Sequence, residues 1–133
     1  MATPENTFIA GVHKYLDESV YHMKNNNVYT GGVPDVWYSG IVRDLWVEYK
    51  FVVVPKRDTT LVVPNLSALQ KQWLRKRHKE GRNVAVIVGC KEGAIILRNP
   101  AAWEGGITAA AFRANVITRR ATAEILSKSV NLS

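Results

Sequence analysis

Apolar residues recur along this chain in two periods. Phe8, Ile9, Val12, Tyr15 and Leu16 follow the three-and-four spacing of one helix face and predict a helix over residues 5–18, with Thr3 or Pro4 at its start. Residues 20–24 read as a short strand, followed by a loop at Asn25-Asn26-Asn27. After Gly31-Gly32, two strand-like runs at 34–39 and 44–55 flank a turn at Gly40-Ile41-Val42-Arg43. Ser67-Ala68-Leu69-Gln70 is a capping-box pattern, opening a helix to about residue 79 that Gly81 stops. Leu66, Leu69, Trp73 and Leu74 form its apolar stripe. Strands follow at 83–90 and 94–98, joined by Lys91-Glu92-Gly93. Residues 100–106, containing Trp103, read as a loop; helices are expected at 109–115 and from a Thr118 cap to about residue 127. This order predicts an α/β domain whose mixed central sheet is flanked by helices. Residues 1–133 are read as one domain, with a core at about 5–98 and a helical C-terminal extension at about 100–133.

Composition narrows the class. Hydrophobic residues make up 47% and charged residues 22%, enough apolar content for a real core in 133 residues. The longest apolar runs, 51–54 and 84–90, fall far short of a membrane span. Met1-Ala2-Thr3-Pro4-Glu5 is polar and acidic, unlike a signal peptide, so a cytoplasmic protein with no membrane partner is expected. A single cysteine, Cys90, excludes an intrachain disulfide framework and a cysteine-rich zinc site. The net charge of +7 points to a polyanionic partner, and nucleic acid is the commonest. Lys71, Arg75 and Lys79 recur every four residues on one helix, with Lys76, Arg77, His78 and Arg82 nearby. Such a face suits a phosphate backbone, and it also suits plain solvation.

The chemistry-bearing pattern is Gly32-Val33-Pro34-Asp35 followed by Glu48-Tyr49-Lys50. Strand side chains alternate, so Glu48 and Lys50 share a face while Val47, Tyr49 and Phe51 take the other. With the hairpin turn on residues 40–43, Ser39 faces Asp44, Trp37 faces Trp46, and Asp35 falls opposite Glu48. Opposed residues have Cβ atoms roughly 4.5–5.5 Å apart, and two carboxylates that close repel unless a proton or cation intervenes. A hard divalent cation suits such a gap, because Mg2+ accepts one or two carboxylates together with water and a substrate phosphate. Lys50 then supplies a fixed positive charge for a reacting phosphodiester. His13 and His22 have no metal-ligand spacing with one another, although His22 and Lys24 precede the asparagine loop near the site.

These residues resemble the PD-(D/E)xK nuclease superfamily, and within it the VRR-NUC and archaeal-type Holliday junction resolvase branch. The similarity runs over about residues 5–98, from the acidic helix through Pro34-Asp35 and Glu48-Tyr49-Lys50 to Gln70 and the valine-rich strand. It implies a restriction-endonuclease-like core and a phosphodiesterase using Mg2+ or Mn2+ on DNA. Asp35 and Glu48 would be metal ligands and Lys50 the catalytic lysine, with Gln70 supporting the site and a helix glutamate assisting. The dipole at a helix N-terminus favours Glu5 over Glu18 for that last role. Lys24, Lys71, Arg75 and Lys79 are the expected DNA contacts. A homodimer is also implied, with the alanine-rich tail as its candidate interface. Two rival readings stay open: a non-catalytic DNA-binding module of this fold, and an interaction protein whose basic surface only solubilises it.

Overall fold

The alternation along residues 44–51 sets the architecture seen in a computed structural model of the protein, which describes residues 3–25 and 31–132. Asn26 and Asn27 of the expected loop lie outside the described residues. Helix α1 (Pro4–His13) leads into strand β1 (Tyr21–Lys24), then β2 (Val36–Ser39) and β3 (Asp44–Phe51). A short β4 (Leu61–Val62), helix α2 (Ala68–Lys79), and strands β5 (Val84–Cys90) and β6 (Gly93–Leu97) follow. The chain ends with α3 (Pro100–Gly105), β7 (Ile107–Thr108), α4 (Ala109–Asn115) and α5 (Arg119–Asn131).

Five strands form the central sheet in the order β1-β2-β3-β5-β6. β3 and β5 are parallel, joined by the crossover through α2, and the remaining neighbours are antiparallel. The expected mixed sheet flanked by helices is therefore what the chain forms. Leu45, Val47 and Tyr49 of β3 pack with Ala85 and Ile87 of β5 on one face, under α1 and α5. Val84, Val86, Val88 and Cys90 point to the other face, against Leu74 of α2, Trp103 of α3 and Phe112 of α4. Both cores are fully buried, so a one-residue slip of β3 would exchange Val47 and Tyr49 for Glu48 and Lys50 inside the first core. That penalty fixes the register on which the site depends.

Several expected boundaries move. Helix α1 stops at His13 rather than residue 18: the Tyr15 and Leu16 N–H groups donate to Val12 O (3.0 Å) and His13 O (3.3 Å) in tighter three-residue turns, and Asp17 Oδ1 then accepts hydrogen bonds from the Ser19 backbone N–H (2.9 Å) and hydroxyl (2.7 Å) and turns the chain. Strand β3 ends at Phe51, not residue 55. Residues 100–106 are not a plain loop: Asn99 caps α3 and Pro100 opens it, sinking Trp103 completely into the second core. β4 and β7 pair into a small second sheet that periodicity did not reveal. α5 runs past residue 127 to Asn131, and its Ala123, Leu126 and Val130 are buried against α1 and the sheet. The apolar stripe of the tail is thus spent inside the protomer, and any dimer contact would use other residues.

Candidate active site

The hairpin register places the acidic pair. Val36 pairs with Val47, Trp37 with Trp46 and Ser39 with Asp44, which continues to Asp35 opposite Glu48. At that point the backbone ladder ends, and the Asp35 side chain takes it over: its Oδ2 accepts the Tyr49 backbone N–H at 2.9 Å. One carboxylate oxygen is thereby pinned to β3. The approach of this segment is set by Gly32, whose φ is +86° and whose added Cβ would stand 2.5 Å from the Leu69 carbonyl oxygen. Only glycine tolerates both the conformation and that contact. Gly32-Val33-Pro34-Asp35 therefore lies against the first turn of α2, one residue before Gln70.

Gln70 serves two purposes at once. Its Oε1 accepts the Ser67 backbone N–H at 2.9 Å, closing the capping box, while its Nε2 donates to Glu48 Oε2 at 3.1 Å. Lys50 Nζ reaches the same Glu48 oxygen at 3.5 Å. The other oxygen, Glu48 Oε1, is buried and among the described residues no donor reaches it, while the Glu48 carboxyl, when protonated, can share its proton with Asp35. The residue is only 2% exposed. Burial first, then the Asp35 carboxylate, push the Glu48 carboxyl up to about 8, with Lys50 pulling the other way.

Glu5, in the first turn of α1, joins this group. Its carboxyl is raised by burial and then by Asp35, with Lys50 and Lys24 pulling it down, so all four groups act within one electrostatic neighbourhood. Glu5 and Lys50 also line a common open cavity of about 380 Å³, together with Phe51, Val52, Val63 and Asn65. Lys24 donates to Asn6 Oδ1, beside Glu5. Glu18 is exposed, five residues past the end of α1. The chain thus gathers Asp35, Glu48, Lys50, Gln70, Glu5 and Lys24 at one place.

The basic face of α2 is not uniform. Arg75 is tied to Glu104 of α3, so its charge is already engaged. Arg77 pairs with Glu80 at 3.0 Å and stacks over the Trp73 ring at 5.5 Å. Lys79 is exposed and Lys71 half-buried. His13 and His22 come together, with ring centroids 4.1 Å apart. His13 Nε2 hydrogen-bonds the Tyr38 hydroxyl at 2.7 Å, and that hydroxyl bonds Tyr49 Oη at 2.5 Å. This chain braces β3 from behind the acidic pair. Burial, then His22 and Lys24, push the His13 imidazole down to about 4. Nothing in the sequence spacing foretold it.

The donor set fits a hard divalent cation held in the Mg2+ manner. Among the described residues, no three Asp, Glu, His or Cys side chains form a closed cage for an ion. A buried carboxyl oxygen that no donor among the described residues reaches, opposite a second carboxylate, matches instead a cation that keeps most of its own water and borrows substrate oxygens.

Comparison with solved structures places the fold. The chain superposes on the Holliday junction resolvase Hjc of Archaeoglobus fulgidus, an archaeal hyperthermophile, with a TM-score of 0.57 and 13% identity, covering 92% of this chain and 96% of that one. The fold is therefore the restriction-endonuclease-like one of that resolvase. No family profile matches the chain. No curated protein matches it in sequence. Among the described residues, no helix is long and apolar enough to cross a membrane.

Proposed function

We propose that this protein is a divalent-metal-dependent DNA endonuclease of the PD-(D/E)xK type. The observation that carries the reading is the buried Glu48 carboxyl, with Oε2 held by Gln70 and Lys50 and, among the described residues, no donor to Oε1, set opposite Asp35. A solvated hairpin face would not bury an ionisable side chain to 2% exposure against a second carboxylate.

Asp35 and Glu48 would hold Mg2+ or Mn2+, which when bound lowers the pKa of water and polarises a phosphoryl oxygen. The residues of the chain do the rest. Gln70 fixes the Glu48 rotamer, because its amide is anchored at the other end by the helix cap. Lys50 is held beside the acidic pair, placed to stabilise the charge that develops on the phosphoryl oxygens. Glu5 opens on the same cavity as Lys50, with a raised carboxyl suited to exchanging a proton with the reacting water or the leaving oxygen. Lys24, Lys71 and Lys79 provide phosphate contacts around the site.

Branched DNA is the proposed substrate class, since the structural neighbour is a Holliday junction resolvase. A homodimer would present two such sites for paired cuts. The resolvase-like branch is preferred over the VRR-NUC branch on the same ground. The test is incubation with labelled four-way, flapped, nicked and linear DNA, with and without Mg2+ or Mn2+. Cation-dependent cuts that disappear in Lys50→Ala support the reading. Binding without cleavage under every cation tried would instead make the chain a non-catalytic DNA-binding module.

A further inference from the structure

A cavity of about 970 Å³ lies away from the acidic pair, at the start of β3. Its walls carry four guanidinium side chains, Arg43, Arg77, Arg82 and Arg98, and the indoles of Trp46 and Trp73. One carboxylate, Asp44, also lines it, but the Ser39 hydroxyl donates to it at 2.7 Å. The arginines come from the β2–β3 turn, α2, the α2–β5 turn and the end of β6, so convergence is a product of the fold and not of one basic run.

Their states differ in an informative way. Arg43 is fixed, donating to the backbone oxygens of Ser129 (3.1 Å) and Leu132 (2.9 Å). Arg77 Cζ stands 5.5 Å from the centroid of the Trp73 ring, which in turn meets Trp46 edge-on at 5.7 Å. Among the described residues, Arg98 hydrogen-bonds the Ser129 hydroxyl alone, at 3.3 Å. Arg82 is exposed, and among the described residues its side chain makes no hydrogen bond or ion pair. Two guanidiniums are thus shaped by the wall and two are available to a ligand. Two elements connect the cavity with the acidic pair. Trp46 and Glu48 project from the same face of β3, roughly 7 Å apart along the strand, and Trp73 follows Gln70 by one turn of α2.

We infer that this cavity binds an unpaired nucleotide segment of the DNA substrate, its phosphates on Arg82 and Arg98 and a base against the Trp46–Trp73 wall. A duplex offers its phosphates on a convex surface and keeps its bases stacked, so it gains little from a concave cavity with aromatic walls. A single strand presents both groups freely, and the pairing of arginine with exposed aromatic rings is how such strands are held. The site selects for DNA with unpaired nucleotides near the cleavage point, at a place distinct from the lysines of α2. The ligand class rests on the nuclease reading; the test is a metal-free binding measurement, so its failure leaves the cleavage result standing.

Tryptophan emission of the full chain, in chelator, is titrated with short oligothymidylate, a blunt duplex and inorganic polyphosphate. With half-buried Trp37 replaced by phenylalanine (Trp37→Phe), oligothymidylate should quench the emission, since of the other three tryptophans Trp103 is buried elsewhere and Trp46 and Trp73 line the cavity. Arg82→Ala combined with Arg98→Ala should weaken that binding by about tenfold or more, with duplex affinity changed by less than about twofold. Neither side chain packs in a core, so the variant keeps its fold, which circular dichroism verifies. The inference is overturned if oligothymidylate leaves the emission unchanged, if both DNA forms weaken equally, or if polyphosphate competes as well as oligothymidylate.

Discussion

Replacing Glu48 with glutamine keeps the shape of the side chain and removes its charge. The variant retains an oxygen to accept from Gln70 Nε2 and gains an amide that can face Asp35. In the folded wild type the Glu48 carboxyl sits near 8 against an ordinary 4.5, because burial and Asp35 oppose its ionisation. A carboxyl raised in this way favours the fold fully below pH 4.5 and loses that contribution as pH climbs through about 8. At roughly 1.4 kcal/mol per unit, the cost of holding Glu48 ionised, with Lys50 already counted, approaches about 5 kcal/mol, and local relaxation brings it to about 2–5 kcal/mol. Urea unfolding in chelator, from pH 4.5 to 8.5, measures it directly. Glu48→Gln should match the wild type at the acid end and exceed it by about 2–5 kcal/mol at the alkaline end. Adding Mn2+ should close the gap from the wild-type side, because only the wild type gains binding energy from the cation. A pH-independent difference, or a variant less stable at pH 8.5, would refute the account of a carboxyl whose ionisation burial and Asp35 oppose.

Gly32→Ala forces a side chain into left-handed backbone against the Leu69 carbonyl; it should cost about 1–3 kcal/mol by urea unfolding and displace Asp35, lowering cleavage as well. Glu5→Gln should reduce the single-turnover cleavage rate at least about tenfold with little loss of DNA affinity, whereas Glu18→Gln should leave the rate unchanged; the reverse pattern would assign the wrong carboxylate. His13 should titrate near pH 4 by NMR; because its imidazole is depressed, its contribution to stability holds above about 6.5 and is lost as pH falls toward 4, removing about 1–2 kcal/mol after allowance for its partial exposure. Lys71→Ala with Lys79→Ala should weaken duplex binding uniformly and reduce the salt slope by about 2; an unchanged slope would make these lysines merely solvated.

What the sequence made legible was whatever depends on strand alternation and short-range counting. Glu48 and Lys50 share a face because every second residue must, and Asp35 meets Glu48 because the turn at 40–43 leaves only one pairing that buries Val36 and Val47 together. The Trp37–Trp46 pair followed from the same count, with ring centroids 6.2 Å apart. Gln70 was readable as a cap or as a site residue, and its amide reaches both the Ser67 cap and Glu48, because it has two ends. The rest depends on contacts distant in sequence. The close approach of Gly32 to Leu69, the His13–Tyr38–Tyr49 chain and the convergence of Arg43, Arg82 and Arg98 leave no periodic trace. Trp103 looked like a loop residue because a six-residue helix is too short to show a period, although Asn99 and Pro100 were the capping signal for it.

The central claim is that Asp35, Glu48 and Lys50 form one metal-dependent phosphodiesterase centre with divided roles. The decisive measurement pairs Mn2+ calorimetry with single-turnover cleavage of a labelled branched DNA, on the wild type and on Asp35→Asn, Glu48→Gln and Lys50→Ala. The account predicts that the two carboxylate variants lose both cation binding and cleavage. Lys50→Ala should keep cation binding and lose cleavage by a factor of about 100 or more. A wild-type cleavage rate in folded Lys50→Ala, or undiminished Mn2+ binding in both carboxylate variants, would contradict it.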